Sequence, residues 1–181
     1  MVVVAGPAGA PAVIQRKLLK LADPAIHGSV QPYHAAAGLD SGEAAAYLRR
    51  CAVSTDAMAQ RAMRETVDEL SRQGRRAAGC CVLEASGRPL PDLAAILAAH
   101  PLIHTAEGVF FRQTIKDAAA ACGLPVTGIR ENQLLEKAAA SLRMSTVELL
   151  RRATEMGKKA GPPWRKDDKL AAIAAWLVLA V

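Results

Sequence analysis

The last third of the chain alternates between short apolar runs and segments with helical periodicity. Residues 102–106 and 124–129 have the length of buried strands, and a helical pattern follows each of them. Residues 170–178 are apolar on every side, which predicts a helix buried against a sheet. Strands separated by helices predict βα units and a mostly parallel sheet with helices on both faces. Functional groups are then expected beyond the carboxyl ends of the strands.

Composition supports a single globular domain. Apolar residues make up 51% of the 181 residues and charged residues 22%, whereas aromatic residues reach only 3%. Alanine and leucine must therefore fill most of the core, which favours packed helices over an all-strand sandwich. We predict one α/β domain over residues 1–181, with a mostly parallel or mixed sheet flanked by helices and residues 41–74 as a helical insertion or cover.

Local sequence patterns predict the secondary structure of the first half of the chain. Residues 2–5 read as a buried strand, and the apolar spacing of residues 13–21 predicts a helix. Pro32 argues against regular structure in residues 28–36, which we predict to be extended. Asp40 is a predicted helix cap, and Ser54 is expected to cap a second helix that ends near Gly74.

The second half carries clearer boundary residues. Residues 80–83 form a continuous apolar run typical of a buried strand, and a turn is predicted at residues 86–91. A short helix is expected at residues 92–99, a longer one at residues 109–122 that ends at Gly123, and another that Asn132 caps and that runs to about residue 142. Ser145 with Glu148 forms a capping box that opens another helix.

Charge is compatible with a nucleic-acid partner. The formal net charge is +6, and the isoelectric point is near 9.4. Basic residues concentrate near the C-terminal end of the sequence, at Arg151, Arg152, Lys158, Lys159, Arg165, Lys166 and Lys169. Such a cluster predicts contact with DNA or RNA, and a solvated helix face is the alternative.

The four cysteines show no CxxC spacing, which argues against a zinc site built on thiolates. Residues 1–6 lack a basic leader, and the apolar run 170–181 is too short to cross a bilayer. We therefore expect a cytoplasmic bacterial protein without a membrane partner. The sequence leaves the oligomeric state open, a homodimer included.

His100, His104 and Glu107 lie close enough in sequence to suggest a metal site. On a helix the two histidines would share a face, but Pro101 and the β-prone residues behind it favour a strand, on which neighbouring side chains alternate. Glu107 would then end the strand. Its carboxylate either belongs to a site or complements the dipole of the helix that follows.

Asp167 and Asp168 precede the final apolar helix. One of them can cap that helix, since Asp is a preferred N-cap residue. The cap leaves the second carboxylate unexplained, because a buried helix brings its first turn close to the sheet. A buried carboxylate needs hydrogen bonds or a cation, which Arg165, Lys166 or a divalent ion could supply.

Three segments carry a family resemblance: residues 103–107 ending in Glu107, residues 122–129, and residues 168–174 beginning with Asp168. Together they resemble the C-terminal half, here residues 100–181, of an RNase H-like domain of the RuvC resolvase type. The resemblance implies a nuclease that hydrolyses phosphodiesters with two Mg²⁺ or Mn²⁺ ions. It would make Glu107 and Asp168 metal ligands, with Asp167 as a third.

The chain departs from that family at its first strand, where the family has an essential Asp. Residues 2–6 carry no acid, and Glu84, behind the strand 80–83, is the candidate substitute. With Glu84 the catalytic set would be complete. Without it, the chain would be an inactive relative or an unrelated α/β protein with a binding or structural role.

A different class of function could begin at the Gly6 loop. Residues 2–9 read as a strand followed by a glycine-containing loop, which can present backbone amides to a phosphate or nucleotide. The loop lacks the third glycine of a dinucleotide site and the Lys-Ser/Thr pair of a P-loop. A plain turn is the alternative, because Pro7 and Pro11 remove two amides.

Overall fold

The computed structural model describes residues 1–85 and 89–180, which form a mixed α/β structure. Its elements are β1 (Val2–Ala5), β2 (Ala12–Arg16), α1 (Pro32–Ala36), α2 (Ser41–Arg72), β3 (Cys80–Glu84), α3 (Leu93–Leu97), α4 (His100–Ala121), β4 (Val126–Arg130), α5 (Glu131–Leu142), α6 (Thr146–Ala160) and α7 (Lys166–Val178). The turn predicted at residues 86–91 begins outside the described residues.

The chain divides into two compact units. The α/β unit comprises Met1–Leu19, Ala78–Glu84 and Leu124–Val181, and the helical unit comprises Lys20–Ala77 and Ala85–Gly123. The boundary predicted at residue 100 does not coincide with this division, because residues 100–123 belong to the helical unit. The helices predicted at residues 41–74 belong to it as well.

Strand pairing in the α/β unit is split between two ladders. β1 pairs antiparallel with β2, whereas β3 pairs parallel with β4, as expected of strands joined by helical segments. The described strands thus form two separate two-stranded sheets. The helix predicted at residues 13–21 is wrong, because pairing with β1 outweighs the helical spacing of its apolar residues.

The last helix is the centre of the α/β core. α7 packs against β1, β3, α5 and α6, and Trp176 on this helix is fully buried. The indole Nε1 of Trp176 donates a hydrogen bond to the Ala8 carbonyl oxygen at 2.7 Å. The prediction that an all-apolar helix must be buried is therefore confirmed.

A single long helix dominates the helical unit. α2 runs for 32 residues without interruption, and the Asp40 carboxylate caps it by accepting from the Glu43 N–H at 2.8 Å. The predicted cap at Ser54 is wrong, because Thr55 is buried in the helix and the Ser54 hydroxyl donates to the Asp23 carboxylate. Ser54 lies inside the unbroken helix α2, so there is no helix start at this position for it to cap.

Two prolines begin helices where the sequence suggested extended chain. Pro32 stands in the first turn of α1 and Pro101 in the first turn of α4, positions at which the missing N–H costs nothing. The predicted extended segment 28–36 and the predicted strand 102–106 are therefore wrong. Glu107 lies in the middle of a helix, not at the end of a strand.

Within the described residues, no helix combines the length and the apolar character needed to span a bilayer.

Candidate metal centre

Three histidine side chains converge in the helical unit. His34 comes from α1, and His100 and His104 come from α4. One ligand nitrogen from each ring lies within 4.8 Å of the other two. The rings of His34 and His104 are 4.7 Å apart between centroids, and those of His34 and His100 are 5.1 Å apart.

Helix geometry accounts for the pair on α4. His100 and His104 are four residues apart and so occupy one face of the helix, one turn above the other. Their Nε2 atoms are 3.1 Å apart. That separation is close to the roughly 3.3 Å between two nitrogens of a tetrahedral site with metal–nitrogen bonds of about 2.0–2.1 Å.

Glu107 fixes the third histidine. Its Oε1 atom lies 2.9 Å from Nδ1 of His34 and accepts the backbone N–H of the same residue at 3.2 Å. Only 8% of Glu107 is exposed, so an ionised carboxylate there needs such partners. The contact favours the tautomer with a proton on Nδ1 and leaves Nε2 of His34 as the nitrogen with a free lone pair.

An apolar base lies under the cluster. Ile96, Ile103 and Ala106 are buried together, with Tyr33 packed against them, and the Tyr33 ring meets Phe110 edge to face at 6.2 Å. Burial, and then the negative charge of Glu107, raise the pKa of the Tyr33 hydroxyl. The base is apolar, whereas His100 and His104 are exposed and open to an ion from solvent.

The four carboxylates predicted as a nuclease site are divided between the units. Glu107 lies in the helical unit, whereas Glu84, Asp167 and Asp168 lie in the α/β unit. Among the residues that the structure describes, the one group of three or more ligand-type side chains with atoms within 4.8 Å is the histidine cluster. Glu84, Asp167 and Asp168, which share the α/β unit, do not form such a group.

Asp167 and Asp168 both lie in the first turn of α7, and Arg165 is the N-cap. Asp168 accepts the Arg165 backbone N–H at 2.9 Å and lies 3.8 Å from the guanidinium of Arg16. Neither Asp is the N-cap residue itself, but Asp168 caps the helix from the third helical position as part of a capping box, so capping accounts for one of the two carboxylates. Glu84 ends β3 opposite Arg130.

His100 and His104 stand out in the sequence as a pair, but the cluster of three histidines does not. The i, i+4 spacing was visible, and a proline at the first helical turn is a known start signal that would have supported the helix. His34 lies 66 residues upstream of His100 by numbering, and no local pattern connects them. Packing of α1 on α4 supplies that connection.

Comparison of the chain with protein-family models, with curated proteins and with solved structures finds no significant match.

Proposed function

We propose that this protein binds a divalent transition-metal ion, with zinc as the first choice, through His34, His100 and His104. The observation that carries the proposal is the meeting of three imidazole nitrogens within 4.8 Å. Three protein ligands are enough for a zinc site that keeps one position open. The exposed side of the cluster leaves room for water or a fourth ligand at that position.

Donor chemistry favours this class of ion. Imidazole nitrogen suits zinc, copper and nickel, whereas Mg²⁺ and Ca²⁺ prefer oxygen ligands. Copper(II) would bind a given nitrogen site more tightly than zinc in the usual order of affinities, and so it belongs in any titration.

Glu107 supports the proposal from behind His34. A histidine that binds a metal commonly donates its other N–H to a carboxylate, which fixes the ring and raises its basicity. The 2.9 Å contact between Glu107 Oε1 and His34 Nδ1 has this arrangement. This contact also explains why a carboxylate is buried on α4, which helix packing alone does not.

Phosphodiester hydrolysis with Mg²⁺ or Mn²⁺ stays a prediction of the RuvC-type, RNase H-like resemblance, and so does a DNA or RNA partner. That hypothesis assigns the ions to Glu107, Asp168 and Asp167, with Glu84 as the candidate substitute for the missing first-strand Asp. It differs from the histidine proposal in metal preference and in sensitivity to Asp168, so one set of titrations separates them.

Isothermal titration of tag-free, metal-free protein with Zn²⁺ tests the proposal. We expect one ion per chain, and His100→Ala and His104→Ala should each weaken binding by more than about 100-fold, since each removes a ligand. Glu107→Gln should weaken it by about 10- to 100-fold, the range found when the group hydrogen-bonded to a ligand is altered. Binding should also weaken at low pH, because the imidazoles must be neutral.

His27→Ala is the matched control, because His27 is the one histidine of the four that lies outside the cluster. It should bind Zn²⁺ like the wild type. Equal losses in His27→Ala and His100→Ala, or no zinc binding by folded wild-type protein, would contradict the proposal. A response to Mg²⁺ or Mn²⁺ that Asp168→Asn abolishes would favour the nuclease hypothesis instead.

A further inference from the structure

A second candidate site lies in the α/β unit, where α6 faces the loop between β1 and β2. The two line an open cavity of about 360 Å³. Its walls are residues 9–13 on the loop side and Arg151, Arg152, Glu155, Met156 and Lys159 on α6. The volume falls in the range of pockets that bind small molecules, about 300–1,000 Å³.

The loop wall is held in place by hydrogen bonds. The Ala8 carbonyl oxygen accepts from the buried Trp176 indole, and the Ala10 N–H donates to the Pro7 carbonyl oxygen at 2.9 Å. Across the cavity, the Arg152 guanidinium donates to the Gly9 carbonyl oxygen at 3.4 Å. A wall fixed in this way needs little ordering when a ligand binds.

Positive charge dominates the helix wall. Three cationic side chains, Arg151, Arg152 and Lys159, line the cavity with one carboxylate, Glu155, and Glu155 is itself paired with Lys158 at 2.7 Å. Such a wall favours an anion.

Glu148 orients the two arginines from one side. Its carboxylate accepts from Arg151 Nε and Nη2 at 2.7 and 2.8 Å and from Arg152 Nε at 2.7 Å. These hydrogen bonds hold the pKa of Glu148 at about 2. Each guanidinium has five N–H donors, so both keep donors for a second anion.

We propose that this cavity binds a phosphorylated small molecule of nucleotide size. Guanidinium groups match the geometry of phosphate oxygens, and the Lys159 ammonium adds a point charge. Val13 and Met156 supply apolar surface for an organic body that inorganic phosphate lacks. The site is independent of the histidine cluster and of the proposed metal.

Thermal-shift and calorimetric titrations with ADP, pyrophosphate and inorganic phosphate test this site, in buffer with EDTA so that the histidines stay metal-free. We expect ADP to raise the melting temperature more than inorganic phosphate does. Lys159→Gln should weaken ADP binding by about tenfold, the scale of one hydrogen bond to a charged group. Lys137→Gln on α5 makes the same charge change outside the cavity and should leave ADP binding unchanged.

Arg151→Gln provides a second variant in case Lys159→Gln lowers stability. Weaker ADP binding by both cavity variants, with wild-type unfolding curves in the absence of ligand, would support the site. No response to any of the three ligands up to about 5 mM, above the Kd of even a weak millimolar ligand, would overturn it. A response that Lys137→Gln weakens as much as Lys159→Gln, or binding of a single-stranded oligonucleotide without ADP binding, would also overturn it.

Discussion

The two units differ in what they bury. The buried core of the α/β unit is apolar and gathers around α7. In the helical unit, by contrast, lie all the buried polar or charged side chains of the described residues, namely Ser29, Thr55, Thr66, Glu107 and Thr114. Buried polar groups lower stability unless they are paired. The helical unit therefore depends on such pairing, whereas the α/β unit does not.

Small side chains make this possible. Ala44, Ala59, Ala106 and Ala118 are almost completely buried, and alanines at a contact let helices approach closely. Polar groups on neighbouring helices then reach each other, as Glu107 reaches His34 and Thr114 reaches Asp56. The comparison suggests that apolar packing stabilises the α/β unit, whereas polar contacts in the helical unit set side-chain positions for a site.

The largest effect on stability should follow from removing a large side chain from the α/β core. Trp176→Ala removes a fully buried indole and its hydrogen bond to Ala8, and we expect a loss of about 3–5 kcal/mol in the free energy of unfolding. Denaturant unfolding followed by Trp164 fluorescence measures it, since the chain has two tryptophans and both lie in this unit.

Trp176→Phe is the control for that variant. It keeps most of the ring and loses the indole N–H, so its cost should be clearly smaller. A loss below about 1 kcal/mol for Trp176→Ala would be far under the usual range for a buried tryptophan and would show that α7 is not the centre of this core.

A smaller effect should follow from cutting a polar contact in the helical unit. The Thr114 hydroxyl donates to Asp56 Oδ1 at 2.9 Å and links α4 to α2. Thr114→Val keeps the shape but leaves the carboxylate without this donor, at a cost of about 1–3 kcal/mol. Hydrogen exchange of amides in α2 and α4 should show faster opening.

Thr105→Val is matched to it, because the Thr105 hydroxyl donates only to the Pro101 carbonyl oxygen of its own helix. This variant should change the stability of the helical unit much less. Equal losses in the free energy of unfolding would mean that a polar contact between helices stabilises no more than one within a helix. The proposed difference between the two units would then be wrong.

The smallest effect should be the acid response of a surface ion pair in the α/β unit. Arg151 and Arg152 lower the pKa of Glu148 from 4.5 to about 2. Stability from this lowered pKa is present above pH 4.5 and is lost as the pH falls toward 2. Glu148→Gln should therefore be less stable than the wild type at neutral pH, by a small amount because the group is exposed.

The check is the free energy of unfolding of both proteins measured from pH 7 to pH 2. The difference between the two curves should shrink below pH 4.5 and vanish near pH 2. A constant difference across that range would mean that Glu148 acts through packing and not through its charge.

Some capping residues and the apolar strand β3 were readable from the sequence because their causes are local. Ser145 accepts the Glu148 N–H as predicted, Asp92 caps α3 by accepting the Ala95 N–H, and β3 lies where a continuous apolar run indicated a strand. The mixed α/β class followed from the same patterns.

The candidate site was harder to predict because its causes are not local. Pro32 and Pro101 favour extended chain by their sequence context, although both stand in the first turn of a helix. Only the helix brings His100 and His104 onto one face, and only tertiary packing adds His34. β2 was missed for a related reason, since its partner strand, and not its own periodicity, decides its conformation.

The position of α7 along the chain has a consequence for synthesis on the ribosome. β1 and β3 both pack against α7, and an isolated two-stranded sheet is marginal in water at best. The strands at the start of the chain therefore cannot pack stably until residues 166–178 have left the ribosome. The helical unit ends at Gly123. This inner part of the sequence can therefore fold first, while the segments of the α/β unit are still unfolded.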